Sequence, residues 1–262
     1  MARLCTLSSG SKGNSTYISY TGGAILVDAG ISYKSMIPLL DSVGGNLSQI
    51  KAVAVTHTHS DHTKGLKTLL KNTKIPLIAS QQTMKSLAES NMIPEGIKTI
   101  IADDKGLVID DLFVDFFNTS HDALGSGGYV ITLPDSRRLA VCTDLGVVTD
   151  KVRSKITGCD AVLIESNHDV EMLRRGPYPA QLKLRILSDE GHLSNNACAV
   201  ELPALLKSGT TRIILGHLSE ENNTPILAKA SAKAMLESIG AKEDIDYILS
   251  VAQQKVAGVT VL

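Results

Sequence analysis

The sequence predicts an α/β layered domain, and three observations carry that reading. Short apolar runs rich in Val, Ile and Leu alternate with amphipathic stretches along the chain. No long low-complexity linker and no short-period repeat interrupts the alternation. The 262 residues, 43% hydrophobic and 20% charged, are enough to bury a sizeable core and argue against global disorder. Strands and helices mixed in this way pack as layers.

Arg3–Leu7, Thr16–Tyr20 and Ala24–Asp28 read as strands, and the short polar connections between them suit antiparallel pairs better than crossovers. Tyr33–Ser42 reads as a helix. Ala52–Val55 reads as a strand that runs into a histidine-rich segment, with a helix over Lys64–Leu70 beyond it. Strand Pro76–Ala79 and helix Gln81–Ser90 follow. Leu112–Asn118, Tyr129–Leu133 and Leu139–Thr143 are apolar enough for strands. Next come helix Thr149–Lys155, strand Ala161–Glu165, and helices Pro179–Ser188 and Asn195–Leu206. The chain closes with strand Arg212–Leu215, helix Pro225–Ile239 and strand Tyr247–Ser250. Val256, Val259, Val261 and Leu262 read as a last strand, with a contact between two copies as the alternative.

Composition narrows the function classes. Lys and Arg number 26 against 27 Asp and Glu, a formal net charge of -1, so any nucleic-acid binding must use a local basic patch. Three Phe, six Tyr and no Trp weigh against a broad surface of stacked aromatics. Cys5, Cys142, Cys159 and Cys198 form no C-x-x-C pair and read as buried thiols of a reducing compartment. The first residues have no apolar core of a secretory signal, and no apolar run reaches the ~18 residues of a membrane span. The expected location is therefore cytoplasmic, with no membrane partner. Neither a Walker loop nor a dinucleotide-binding glycine pattern is present.

The chemistry concentrates in VTHTHSDHTKG, Val55–Gly65. The pattern H-x-H-x-D-H places His57, His59, Asp61 and His62 in a loop after a strand. Imidazole and carboxylate are ligands for zinc, iron and manganese. A bound cation also removes the repulsion that protonated, crowded imidazoles would feel.

This segment resembles the signature of the metallo-β-lactamase fold superfamily. Later motifs fit the resemblance: His121 in SHDALG, Asp144 in CTDLG and His217 in LGHLS each follow a strand. The resemblance implies one domain over residues 1–262, a four-layer αββα sandwich of two mixed sheets with the metals at one edge. It implies two divalent ions, zinc or manganese with iron a third candidate. His57, His59 and His121 would hold the first, Asp61, His62 and His217 the second, and Asp144 would bridge. A metal-bridging hydroxide would be the nucleophile, with Asp61 also in the catalytic set.

Within the superfamily, ligands matching His62 and Asp144 argue against a true β-lactamase. A thioesterase of the glyoxalase II type would need a C-terminal helical domain, for which residues 220–262 leave little room. Phosphodiester hydrolysis leads. His192 in GHLSNN is similar to the His-Ser-Thr element of the transfer-RNA 3′-processing nucleases, although Leu193 departs from that element. Glu165 would orient His192 and keep it ready to protonate a leaving oxygen. The competing readings are a capping histidine and an ordinary strand-end carboxylate. Together with the SGSKGNS and ESNHD segments, these motifs resemble the YycJ (WalJ) group of bacterial proteins, which implies a 5′→3′ DNA exonuclease. An RNA-processing nuclease and a small-molecule ester or thioester hydrolase are the alternatives. The expected substrate contacts are Ser11, Asn14, His168 and Lys64. Lys64, Lys67 and Lys71 at helical spacing, and the stretch Arg174, Arg175, Lys183 and Arg185, would hold phosphates. Solvated helix faces are the plainer alternative for both groups.

Overall fold

The computed structural model describes residues 2–262. In chain order the first part is β1 (Arg3–Ser8), β2 (Ser15–Tyr20), β3 (Gly23–Val27), α1 (Tyr33–Ser42), β4 (Ile50–Val55), α2 (Ser60–Thr63) and α3 (Leu66–Thr73). β5 (Leu77–Ala79), α4 (Gln81–Glu89), β6 (Thr99–Ile101), β7 (Leu107–Ile109), β8 (Leu112–Asn118), β9 (Gly127–Thr132) and β10 (Arg138–Cys142) come next. Then follow α5 (Asp150–Ile156), β11 (Ala161–Glu165), α6 (Val170–Arg175), α7 (Ala180–Ile186) and α8 (Asn195–Lys207). The chain ends with β12 (Arg212–Gly216), α9 (Pro225–Ser238), β13 (Ile248–Val251) and β14 (Gly258–Val261).

The strands form two sheets of seven, ordered β14-β1-β2-β3-β4-β5-β6 and β13-β12-β11-β10-β9-β8-β7. Both are mixed in the same way. The β14-β1-β2-β3 and β7-β8-β9-β10 runs pair antiparallel, and the β3-β4-β5-β6 and β10-β11-β12-β13 runs pair parallel.

Side-chain alternation explains the layering. In β4, Ala52 and Ala54 join the cluster between the sheets, while Val53 and Val55 face the outer cluster. In β11, Ala161 and Leu163 point inward, and Val162 and Ile164 point outward. Both faces of these strands are apolar because both are covered. α1, α3 and α4 cover one sheet through Met36, Leu40, Leu66, Leu70 and Leu87. α5, α8 and α9 cover the other through Val152, Ile156, Leu202, Leu205 and Leu236. The result is the expected four-layer αββα sandwich. Ser32, Ser80, Thr149, Asp169, Ser194 and Thr224 each cap a helix by accepting from the amide three residues on. Such caps contribute about 1 kcal/mol each.

Several boundaries differ from the sequence reading. The helix expected over Lys64–Leu70 begins at Leu66 and runs to Thr73 as α3, and an unexpected short helix, α2, precedes it, with Lys64 and Gly65 between the two. β6 and β7 are three-residue strands, too short to show a period, and α6 is a six-residue helix set by its Asp169 cap. β14 pairs antiparallel with β1, so Val259 and Val261 of the apolar C-terminal positions lie in a last strand, while Val256 precedes it and Leu262 follows it. Among the described residues, no helix is long and apolar enough to cross a membrane.

Candidate metal centre

The site is assembled at strand ends along one edge of the sandwich. β4 leads into Thr56, His57, His59, Asp61 and His62. His121 lies beyond β8, Asp144 beyond β10 and His217 beyond β12, and Glu165 is the last residue of β11. Asp28, Asp144 and His217 leave their strands in the left-handed region, at φ 63°, 61° and 54°. Non-glycine residues at such φ are uncommon and concentrate where the backbone must aim a functional side chain.

The donor atoms converge. One donor from each of His57, His59 and His121 lies within 4.8 Å of the others, and the same holds for Asp61, His62 and His217. His57, His62 and Asp144 form a third such group, between these two sets. Four imidazoles are anchored through Nδ1, which leaves Nε2 for the centre. His57 Nδ1 lies 3.1 Å from Thr56 Oγ1, and His62 Nδ1 donates to Asp28 Oδ2 at 2.8 Å. His121 Nδ1 donates to the Gly191 carbonyl at 3.2 Å, and His217 Nδ1 donates to Glu165 Oε1 at 2.7 Å. His59 differs, presenting Nδ1 at 3.4 Å from His121 Nε2.

These residues fit divalent cations. His57 Nε2, His217 Nε2 and Asp144 Oδ2 are buried and make no hydrogen bond. Asp144 Oδ2 is 3.2 Å from His62 Nε2, but the contact is not aligned as one. Buried polar atoms without partners are costly unless something else engages them. The charge pattern says the same. Burial acts to raise the Asp144 carboxyl, yet His217 and His62 outweigh it and hold it well below the usual range. Burial opposes charge on His217 too, but Asp144, Asp61 and Glu165 push it up to about 10. Burial also opposes charge on His62, and Asp144 and Asp28 raise it well above the usual value. The directions of these shifts mark a buried carboxylate-rich cluster that favours positive charge, which a divalent cation would supply.

Beside the centre, Glu165 is fully buried and holds two imidazoles. Its Oε1 accepts from His192 Nδ1 at 2.8 Å and from His217 Nδ1 at 2.7 Å. Its Oε2 accepts from the Leu145 and Leu193 amides at 3.0 and 3.1 Å. Burial would raise this carboxyl, but His192 and His217 bring it down to about 2. Burial acts against a charged His192, and Glu165 reverses that and raises its pKa. The His192 side chain is 21% exposed and lines a cavity of about 240 Å³, as do Asp61, His121, Asp144 and His217.

Of the four expected substrate contacts, only Ser11 lines this cavity. Asn14 is buried behind the ligands, with Nδ2 at 3.2 Å from Asp61 Oδ2 and 3.0 Å from His62 Nε2, so it braces them. His168 is 1% exposed, away from the cavity, and neither ring nitrogen has a hydrogen-bond partner. Lys64 is exposed between α2 and α3, outside the cavity like Lys67 and Lys71. In the second basic stretch, Arg174 and Arg175 pair with Glu171 and Lys183 donates to the Arg174 carbonyl. Only Arg185 reaches the cavity, where it pairs with Asp122.

Two residues of the site are absent from the sequence reading. Asp28 accepts from the Thr56 amide and hydroxyl, both at 2.8 Å, and from His62. The available signal is a carboxylate at the end of a buried apolar run. Thr56, next to His57, links Asp28 to two imidazoles.

Residues 24–218 match the beta-lactamase superfamily domain. The chain is 38% identical to the exodeoxyribonuclease YycJ of Bacillus anthracis over 89% of this chain and 89% of that protein. It is 36% identical to the exodeoxyribonuclease WalJ of Streptococcus pneumoniae strain D39, over 92% of this chain and 90% of that protein. The fold is similar to the metallo-beta-lactamase fold protein YhfI from Bacillus subtilis, with a TM-score of 0.71 at 14% identity. That alignment covers 98% of this chain and 99% of YhfI.

Proposed function

Because the chain belongs to the beta-lactamase superfamily, and within it to the group of the YycJ and WalJ exodeoxyribonucleases, we propose that it is a 5′→3′ DNA exonuclease with a dinuclear metal centre. It is a metal-dependent hydrolase. The observation that carries the phosphodiester reading is the Glu165–His192 pair at 2.8 Å, opening onto the cavity beside the ligands.

His57, His59 and His121 would hold one ion, Asp61, His62 and His217 the other, and Asp144 both. Imidazole-rich ligation suits zinc, and the carboxylates also admit manganese. Bound there, the cations would activate water near neutral pH and neutralise charge on the phosphate. The protein's own groups do the rest. Asp61, which lines the cavity beside these residues, would accept a proton of the attacking water. The phosphorus–oxygen bond to the leaving group breaks, and His192 donates its proton to that oxygen. Glu165 orients His192 beforehand and favours its charged form. Arg185, rather than the Lys64 helix face, supplies the cation for a substrate phosphate.

The direction of digestion rests on the resemblance to the YycJ group. Residues 1–262 are read as one domain, supported by the pairing of β14 with β1. Four buried, unpaired cysteines support a cytoplasmic location. The test is hydrolysis of single- and double-stranded DNA labelled at one end or the other, with Mn²⁺ or Zn²⁺ supplied in turn. Metal-dependent release of nucleotides from the 5′ end, abolished in Asp144→Asn, is expected. If neither DNA nor matched RNA is cut with either metal, the phosphodiesterase reading falls and esters and thioesters become the next panel.

A further inference from the structure

The cavity has two unlike walls. One carries Asp61, Asp144, His192 and His217, and the other carries Tyr178, Leu182 and Ile186. Leu182 and Ile186 are four residues apart within α7, a spacing that puts them on one face, and Tyr178 precedes the helix and lines the same cavity. This wall is tied to the site. The His192 amide donates to the Ile186 carbonyl at 3.0 Å, and the Gly191 carbonyl accepts from His121. A Cβ on Gly191 would lie 2.2 Å from the Arg185 carbonyl, so only glycine allows so close an approach.

A phosphodiester has two esterified groups, and the apolar wall shares one cavity with the candidate centre, where it can receive one of them. At about 240 Å³ the cavity is smaller than the ~300–1,000 Å³ of drug-sized pockets, a size that suits one nucleoside against the wall. Tyr178 is the one Phe or Tyr that lines it among the described residues. A tyrosine ring stacks on the π-face of any base, whatever the sequence.

We propose that Tyr178, with Leu182 and Ile186, forms the subsite for the terminal nucleoside of the substrate, which enters unpaired and stacks on the Tyr178 ring. The identity of the ligand rests on the phosphodiesterase reading above. The α7 wall then makes the enzyme selective for nucleoside esters without making it selective among bases.

The test compares two esters that release the same leaving group, thymidine 3′-(4-nitrophenyl) phosphate, which joins the nucleoside through its 3′ oxygen as the 5′-terminal nucleoside of a strand is joined, and methyl 4-nitrophenyl phosphate, hydrolysed by the metal-loaded protein. The wild type should prefer the thymidine ester. Tyr178→Ala should lower the thymidine-to-methyl ratio of kcat/KM by about tenfold, and Tyr178→Phe should keep it. Calorimetric binding of thymidine 5′-monophosphate should weaken by about tenfold in Tyr178→Ala. No preference in the wild type, or a ratio unaltered by Tyr178→Ala, overturns the subsite. If neither ester is cleaved while the nucleotide still binds through Tyr178, the phosphodiesterase reading falls and the subsite stands.

Discussion

Each anchored imidazole owes its orientation to a second residue. A ring nitrogen tied by hydrogen bonding leaves the other fixed toward the candidate metal centre, and in metal sites loss of such partners typically costs 10–100-fold in metal affinity or activity. His192 has the same anchor, Glu165, but faces the cavity. Its donors also lie close enough to Asp144, Glu165 and His217 to join a metal site. The two roles separate experimentally. His192→Ala is expected to lower kcat by about 10²–10⁴-fold, the range for a lost general acid, with bound metal per chain unchanged by elemental analysis. A proportional loss of metal would make His192 a ligand instead. His168 supplies a pH-dependent term. Burial lowers its pKa to about 4, His192 reinforces that effect, and Glu165 and Asp169 oppose it. Between pH 6.5 and 4 the unfolded chain therefore binds the proton that the folded chain refuses, and stability falls as pH falls through that window. The loss should be on the order of 2–3 kcal/mol. Urea unfolding at pH 7.5 and pH 4.5 should show a smaller loss in His168→Leu than in the wild type. Equal losses would place the titration elsewhere.

At the level of elements, the site depends on three segments that touch through their backbones: the loop after β1, the loop after β3 and the segment after β4. The Asn14 amide donates to the Asp61 carbonyl at 2.7 Å, and the Gly30 amide donates to the Asn14 carbonyl at 2.8 Å. The loop after β3 is thereby locked against the segment that carries Asp61 and His62. Gly30 is required by proximity, since a Cβ there would lie 1.6 Å from the Asp61 carbonyl oxygen. Gly30→Ala is expected to destabilise by about 1–3 kcal/mol or more, because backbone cannot yield as a flexible side chain can. It should also lower metal content, because the shift reaches Asp61 directly. Melting temperature and metal stoichiometry measured together check this, and wild-type values for both would refute it.

For the whole molecule, stacking of the two sheets decides whether there is a site at all. His57 and His62 come from one sheet, and Asp144, Glu165 and His217 from the other. The sheets are joined by the apolar cluster between them and by a hydrogen bond from the Tyr129 hydroxyl of β9 to the Val55 carbonyl of β4, at 2.8 Å. Val55 lies two residues before His57. Tyr129→Phe is expected to cost about 1–3 kcal/mol by leaving a buried acceptor without this partner. Thermal unfolding should show a fall of a few degrees in Tm. An unchanged Tm would mean that apolar packing alone aligns the sheets.

The sequence by itself determined the layered class, most strands and helices, and the histidine-rich segment Val55–Gly65 as the candidate metal-binding segment. All of these are local. Periodicity marks a strand or helix over a few residues, and His57, His59, Asp61 and His62 are crowded together before any folding occurs. It also singled out Glu165 and His192, through resemblance. Only the tertiary structure decided that Asp28 and Asn14 brace His62, and that Glu165 serves His192 and His217 together. It also decided that Arg185 and Tyr178, rather than Lys64 and His168, line the cavity. The physical reason is distance along the chain. Asp28 and His62 are separated by 34 residues and Glu165 and His217 by 52, and their contacts exist only once the sheets stack and the strand ends turn inward.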